Sequence, residues 1–338
     1  MGMRCPTCGT QYGDEARFCT KDGARLAAAE ASSRATAVRH PEAPTPAPSG
    51  GAVTGTANMT GQVLDRRYLI VKKVGEGGMS YVYLARDVST EQRYAIKILS
   101  PSLAKDETAM ARLRREAALG IRLAHPNVCH IVRMGETEEG LVYVVMPFVE
   151  GEILSDRNYR VGQTTLADTA KFITEIADGL QVAHELGIVH RDLKPENIMI
   201  CKASGGTEFA VVMDFGLAKE RKAAGELQKL TATGIILGTP EFMSPEQLRG
   251  KPLDPRTDIY SLTLMTYEML TGKLPFEGNS QQAMMIARLR NEPIPARNRR
   301  PEIPQRVDEV LLRGMAREAN DRYATAPEFA AALRAAIG

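Results

Sequence analysis

Strand-type and helix-type sequence are segregated along this chain, and that segregation limits the folds open to it. From Tyr68 onward the β-branched and aromatic runs come first. Tyr68-Leu-Ile-Val-Lys-Lys-Val74 and Tyr81-Val-Tyr-Leu-Ala85 flank Gly75-Glu-Gly-Gly78, and Arg93-Tyr-Ala-Ile-Lys-Ile-Leu99 follows. A helix is predicted from about 106 to 123, with Met110, Leu113, Ala117 and Ile121 at three- and four-residue steps. Glu116 falls beside that apolar stripe, where a carboxylate needs a cationic partner. After another strand pair near 141–149, the remainder reads mainly helical. Phe172, Ile176, Leu180 and Ala183 mark one helix closed by Gly187, and Asp258 opens another that Gly272 follows. Thr325-Ala-Pro-Glu328 has the form of a capping box for the last helix. The pattern predicts an α+β chain, a small β-rich lobe followed by a larger helical one.

Upstream of this region the composition changes twice. Residues 1–26 hold Cys5, Cys8 and Cys19. Residues 27–62 are rich in Ala, Pro, Ser, Thr and Gly, including Pro41-Glu-Ala-Pro-Thr-Pro-Ala-Pro48, the composition of an extended, flexible linker. Residues 63–338 form the third part. With 338 residues, 43% hydrophobic and 25% charged, the chain has an ordinary globular composition and is neither disordered throughout nor collagen-like. Its longest apolar run, Leu141 to Val149, is nine residues, whereas a spanning helix needs about twenty. Forty-three Lys and Arg against forty-one Asp and Glu leave a net charge of +2, which gives no reason to expect a nucleic-acid partner. Met1 to Gly9 lacks the apolar core of a secretory signal, and the uneven cysteines fit a reducing compartment, so a cytoplasmic location is expected.

The chemistry-bearing residues begin at the glycines. Gly75-Glu-Gly77-Gly78-Met-Ser80-Tyr-Val82 joins two strands and is therefore a hairpin tip. Glycines there let backbone N–H groups approach phosphate oxygens, although an ordinary tight turn has the same composition. Ala95-Ile-Lys97 puts a lysine on the third strand, with Glu116 as its natural partner. Then come His190-Arg-Asp192-Leu-Lys194-Pro-Glu-Asn197, Asp214-Phe-Gly216 and Ser244-Pro-Glu246. In this order, and in these element types, the residues resemble the protein-kinase signature set over about Tyr68 to Ala335.

That resemblance implies a bilobal protein-kinase fold that uses ATP and Mg²⁺, with Mn²⁺ as an alternative, to phosphorylate protein substrates. Asp192 would accept or orient the proton of the attacking hydroxyl, and Asn197 and Asp214 would supply oxygen ligands to the metal. Lys97, paired with Glu116, would hold the α- and β-phosphates under Gly75, Gly77, Gly78 and Ser80, and Lys194 would reach the γ-phosphate. Met146 would guard the back of the adenine pocket. Pro147-Phe148-Val149 would form the hinge, Pro147 through its carbonyl and Val149 through its N–H, with Val82, Ala95 and Met199 sandwiching the ring.

Lys194 and Gly238-Thr239-Pro240 follow the serine/threonine pattern, in which Thr239 would bridge Asp192 and Lys194. Gly-Glu-Gly-Gly-Met-Ser and Arg-Arg-Glu-Ala resemble the bacterial Hanks-type kinases in particular. Ser244 in place of alanine, Thr263 in place of glycine and Ala319 in place of proline depart from the family pattern without touching the chemistry. Glu246 and Arg322 would form the family's buried ion pair. Thr231 and Thr233 are spaced as in relatives that autophosphorylate, and a phosphate there would find Arg191. A non-catalytic pseudokinase scaffold is the alternative, opposed by the presence of Lys97, Asp192 and Asp214.

Cys5-Pro-Thr-Cys8-Gly resembles a zinc knuckle, and Cys19 with Asp22 would complete a Zn²⁺ site of three thiolates and one carboxylate. Asp22 stands where a zinc ribbon has its fourth sulfur, so a Cys5–Cys8 redox pair or an unstructured leader remain alternatives. A zinc-ribbon-like module of this size would fold only with its metal, and its expected role is to bind a partner or tether a substrate.

Overall fold

The computed structural model describes residues 3–4, 11–12, 27–28, 59–77, 80–100, 106–215 and 240–338. The chain divides into two units, Met1–Val53 and Thr54–Gly338. In the first, β1 (Met3–Arg4), β2 (Gln11–Tyr12) and β3 (Ala27–Ala28) pair antiparallel in the order β2-β1-β3. Cys5, Cys8, Cys19 and Asp22 lie outside the described residues.

The second unit opens with a six-stranded antiparallel sheet. Its strands are β4 (Val63–Leu64), β5 (Tyr68–Gly77), β6 (Ser80–Asp87), β7 (Arg93–Leu99), β8 (Arg133–Glu136) and β9 (Val142–Pro147), in the order β4-β5-β6-β7-β9-β8. Alternation along the strands gives the sheet two buried faces. Tyr68, Ile70, Tyr83, Ile96, Ile98, Tyr143 and Val145 pack with Met59 and Leu64 on one side. Ala95, Leu99, Val144 and Met146 pack on the other with helix α1 (Glu107–Gly120), through Met110, Leu113 and Ala117.

The stripe stops there. Ile121, expected to be the fourth inward residue, is 47% exposed. The helix ends at Gly120, where a Cβ would come within 2.6 Å of Ile131, so Ile121 already lies beyond the last turn.

The larger lobe is built from α2 (Leu154–Val161), α3 (Leu166–Glu185), α4 (Pro245–Leu248), α5 (Arg256–Thr271), α6 (Gln281–Arg290), α7 (Gln305–Gly314) and α8 (Ala326–Ile337). Phe172, Ile176, Leu180 and Ala183 of α3 face a core shared with Ile259, Leu262, Met265 and Met269 of α5. Gly187 and Gly272 take positive φ of 74° and 72° just past their helices, which a side chain would strain. Thr325 caps α8 by accepting from the Glu328 N–H, but the Glu328 carboxylate accepts from Ala324 N, one residue upstream of the bond a capping box would make.

The expectation that this lobe is mainly helical misses a sheet. β10 (Glu152–Ile153), β11 (Ile198–Lys202) and β12 (Glu208–Val212) pair antiparallel in the order β10-β11-β12. No helix among the described residues is long and apolar enough to cross a membrane.

Candidate active site

The loop from His190 to Asn197 enters β11 and is anchored from below by α5. Asp258, fully buried in the first turn of that helix, accepts from the backbone N–H groups of His190 (2.8 Å) and Arg191 (2.9 Å). A helix N-terminus favours an anion at that place. His184 of α3 shares the same carboxylate through Nε2 at 2.8 Å. The grip holds Arg191 at φ 65°, a left-handed conformation that costs a residue with a side chain about 1–3 kcal/mol. Asp214, two residues past the end of β12, carries a φ of 53°.

Five of the expected site residues are paired in this loop and at Asp214 beside it. Asn197 Nδ2 donates to the Asp192 carbonyl at 2.7 Å and to its Oδ2 at 2.9 Å. Lys194 Nζ lies 3.9 Å from Asp192 Oδ2. Lys97, reaching down from β7, pairs with Asp214 Oδ1 at 3.2 Å. Glu116 sits half-buried on α1. Met213 N donates to the Asn197 carbonyl at 2.8 Å, tying the two loops together. Phe215 packs edge-on against His190, with ring centroids 4.9 Å apart.

Those donors suit a magnesium nucleotide. Asn197 commits its amide nitrogen to Asp192, which leaves Oδ1 as the remaining polar atom of its side chain. Together with the Asp214 carboxylate, this is the hard-oxygen chemistry that Mg²⁺ prefers, and Lys97 and Lys194 bring cations for phosphate. Val82, Ala95, Met146, Val149 and Met199 belong to one apolar cluster, the character of lining that a flat heteroaromatic ring needs.

At the expected hinge, Pro147 pairs across the sheet with Tyr94, and the Phe148 N–H donates to Arg93 O at 3.4 Å. The Val149 N–H has no protein partner among the described residues. Cys129 approaches the Pro147 carbonyl at 3.8 Å as a weak thiol donor. Burial, with Asp214 and Cys201 adding to it, pushes this thiol up to about 12, so it stays protonated.

Gly75 and Gly77 stand on the β5–β6 hairpin, opposite Val82 and Ser80. Gly78, Thr231, Thr233 and Thr239 lie outside the described residues. Farther out, Ser244 caps α4, which explains why serine serves where alanine is usual. Thr263 keeps its hydroxyl on Ile259 O at 2.7 Å and fits because Gly314 beside it has no Cβ. Asp258 is a functional anchor that the sequence showed only as the opening of a helix.

A protein kinase domain matches residues 68–331 of this chain. The chain is 36% identical over 282 residues to the serine/threonine-protein kinase pkn3 of Myxococcus xanthus, covering 83% of this chain and 52% of that protein. It is 38% identical over 277 residues to the serine/threonine-protein kinase PknB of Mycolicibacterium smegmatis, covering 81% and 43%. The chain thus spans about half the length of the curated relatives it matches. Among solved structures, the kinase domain of Mycobacterium tuberculosis PknI matches with a TM-score of 0.64 at 25% identity, over 82% of this chain and 99% of that one. Because the match takes in the β-rich lobe, the helical lobe and the polar loops that meet between them, the chain belongs to the protein kinase family.

Proposed function

We propose that this chain is a serine/threonine protein kinase of the bacterial Hanks type, transferring the γ-phosphoryl group of ATP to hydroxyls of protein substrates. One observation carries the reading. Asp192, oriented by Asn197 and flanked by Lys194, stands in the same site as an Asp214–Lys97 pair, so a proton acceptor, oxygen donors and phosphate-binding cations converge.

Phosphoryl transfer asks a protein for position and charge more than for covalent chemistry. Asp192 takes or orients the proton of the incoming hydroxyl at its carboxylate. Asn197 fixes the rotamer of that carboxylate, and Asn197 and Asp214 would hold Mg²⁺. The metal, when bound, neutralises phosphate charge. Lys97 would share its ammonium between Glu116 and the α- and β-phosphates, Lys194 would steady the γ-phosphate, and Thr239 would bridge Asp192 and Lys194. Val82, Ala95, Met146 and Met199 would exclude water from the adenine ring, whose edge would meet Pro147 O and Val149 N–H.

Thr231 and Thr233 are read as autophosphorylation sites, their phosphates received by Arg191. Cys5, Cys8, Cys19 and Asp22 are read as a zinc site in a partner-binding module, and the chain as a cytoplasmic protein. The test is intact mass over time with Mg-ATP after phosphatase treatment, beside Asp192→Asn. Stepwise phosphoryl gain in the native protein alone supports the kinase, and mapping the gain to Thr231 or Thr233 supports the switch. No gain in either protein overturns the catalytic reading. Stoichiometric zinc in the whole protein supports the amino-terminal site, and its absence removes it.

A further inference from the structure

Gln247 makes two bonds with one amide, and they join two parts of the site. Its Oε1 accepts from Ser244 N at 2.9 Å, closing the capping box of α4, while its Nε2 donates to the Arg191 carbonyl at 2.7 Å. The two partners fix the amide's orientation, since an N–H needs the oxygen and a carbonyl needs the nitrogen. Arg191 is the left-handed residue immediately before Asp192, and its own N–H is held by Asp258 at 2.9 Å. Both backbone polar groups of Arg191 are therefore held by side chains, one from α5 and one from α4.

We propose that Gln247 is a positioning residue for Asp192. By holding the Arg191 carbonyl, it transmits the seating of α4 to the carboxylate that receives the substrate proton. The helix begins at Pro245, directly after Ser244, so a shift of α4 bears on Asp192 through this amide. The inference rests on the kinase reading for the role of Asp192, and on the hydrogen bonds for the tether itself.

Two substitutions separate the tether from the cap. Gln247→Glu keeps an oxygen for Ser244 N but sets a second oxygen against the Arg191 carbonyl. Ser244→Ala removes the hydroxyl that accepts from Gln247 N at 3.3 Å and leaves the tether intact.

Gln247→Glu is expected to lower kcat roughly ten- to hundredfold through misplacement of the base. It leaves KM for ATP within about twofold, as expected for an interaction that acts on the chemical step. Amide hydrogen exchange over residues 190–197 should quicken in Gln247→Glu alone. Ser244→Ala should lower the melting temperature with kcat and that exchange unchanged. Unchanged exchange in Gln247→Glu, or equal loss of kcat in both variants, overturns the proposal. Should the native protein transfer no phosphoryl group, the kinase reading falls, and the exchange comparison still decides the tether.

Discussion

Arg322 grips both oxygens of Glu246, Nη1 to Oε1 at 2.7 Å and Nη2 to Oε2 at 2.8 Å, from a side chain with no exposure at all. Its remaining N–H groups reach the carbonyls of Ala316, Arg317 and Arg256. Thr257 donates its hydroxyl to Glu246 at 2.8 Å. The pair is bidentate and fully hydrogen-bonded, the geometry in which a buried ion pair offsets its desolvation. It ties α4, and with it Gln247, to the loop before α8.

Removing one partner leaves the other charge buried and alone. Arg322→Ala is therefore expected to cost about 3–5 kcal/mol in urea unfolding at neutral pH. Burial alone would push Glu246 up, but Arg322 and Thr257 outweigh it and hold the carboxyl below its ordinary 4.5. A depressed carboxyl contributes stability above the unfolded value and loses it as pH falls through the folded one. Glu246→Gln should accordingly flatten the acid limb of the stability profile below about pH 4.5. An unaltered limb counts against the pair.

Glu268 behaves in the opposite sense. Burial on α5 raises its carboxyl to about 7, the Asn158 hydrogen bond at 3.2 Å only partly offsets this, and Glu196 and Glu241 add to it. A raised carboxyl favours folding while it is protonated, so its contribution is complete below the ordinary 4.5 and is lost as pH rises through about 7. Glu268→Gln should gain stability at pH 8, on the order of 3 kcal/mol at most, and little at pH 5. Equal effects at the two pH values would dismiss the assignment.

Much of this was legible because the signals are local. Tyr68–Val74, Tyr81–Ala85 and Arg93–Leu99 alternate within a few residues, and each lies inside a strand of the structure. Asp192, Lys194 and Asn197 lie close together in one loop, so the resemblance to the kinase signature could be recognised from one short run of sequence.

Contacts that span the chain were not legible from the residues themselves, and the Glu246–Arg322 pair, 76 residues apart, was expected only through the family resemblance. Asp258 reaches Arg191 across 67 residues, Gln247 reaches it across 56, and Lys97 meets Asp214 across 117. No periodicity encodes such partners. Ile121 continues the helical period, but the helix stops at Gly120 where Ile131 crowds it, a tertiary fact. β10 to β12 are only two to five residues long, too short to stand out from the helical pattern around them.

Gly135 has a packing reason of the same long-range kind. It lies opposite Tyr143, and a Cβ there would collide with the tyrosine ring. That ring is held because its hydroxyl donates to Asp65 Oδ2 at 2.6 Å, beside Arg133 at 2.8 Å on the same oxygen. Gly135→Ala should destabilise by about 1–3 kcal/mol, as overpacked cores do. The comparison is Tyr143→Phe, which loses the hydroxyl and keeps the ring. A melting temperature unchanged in Gly135→Ala would mean that β8 yields more easily than the contact implies.

Asp192→Asn separates charge from geometry. An asparagine oxygen can still accept from Asn197, so the 2.9 Å bond and the loop it steadies survive. Lys194 at 3.9 Å loses only a partly exposed partner, a small term. The substituted side chain cannot take a proton, however, and removal of a positioned base typically lowers turnover by about 10²–10⁴. The expected outcome is a kcat reduced by that factor, with nucleotide affinity and melting temperature close to those of the native protein. Unfolding of the variant would mean that Asp192 is needed for structure. Full activity would mean that the transferred proton leaves by another route, and Asn197 would then be holding a carboxylate that the reaction does not use.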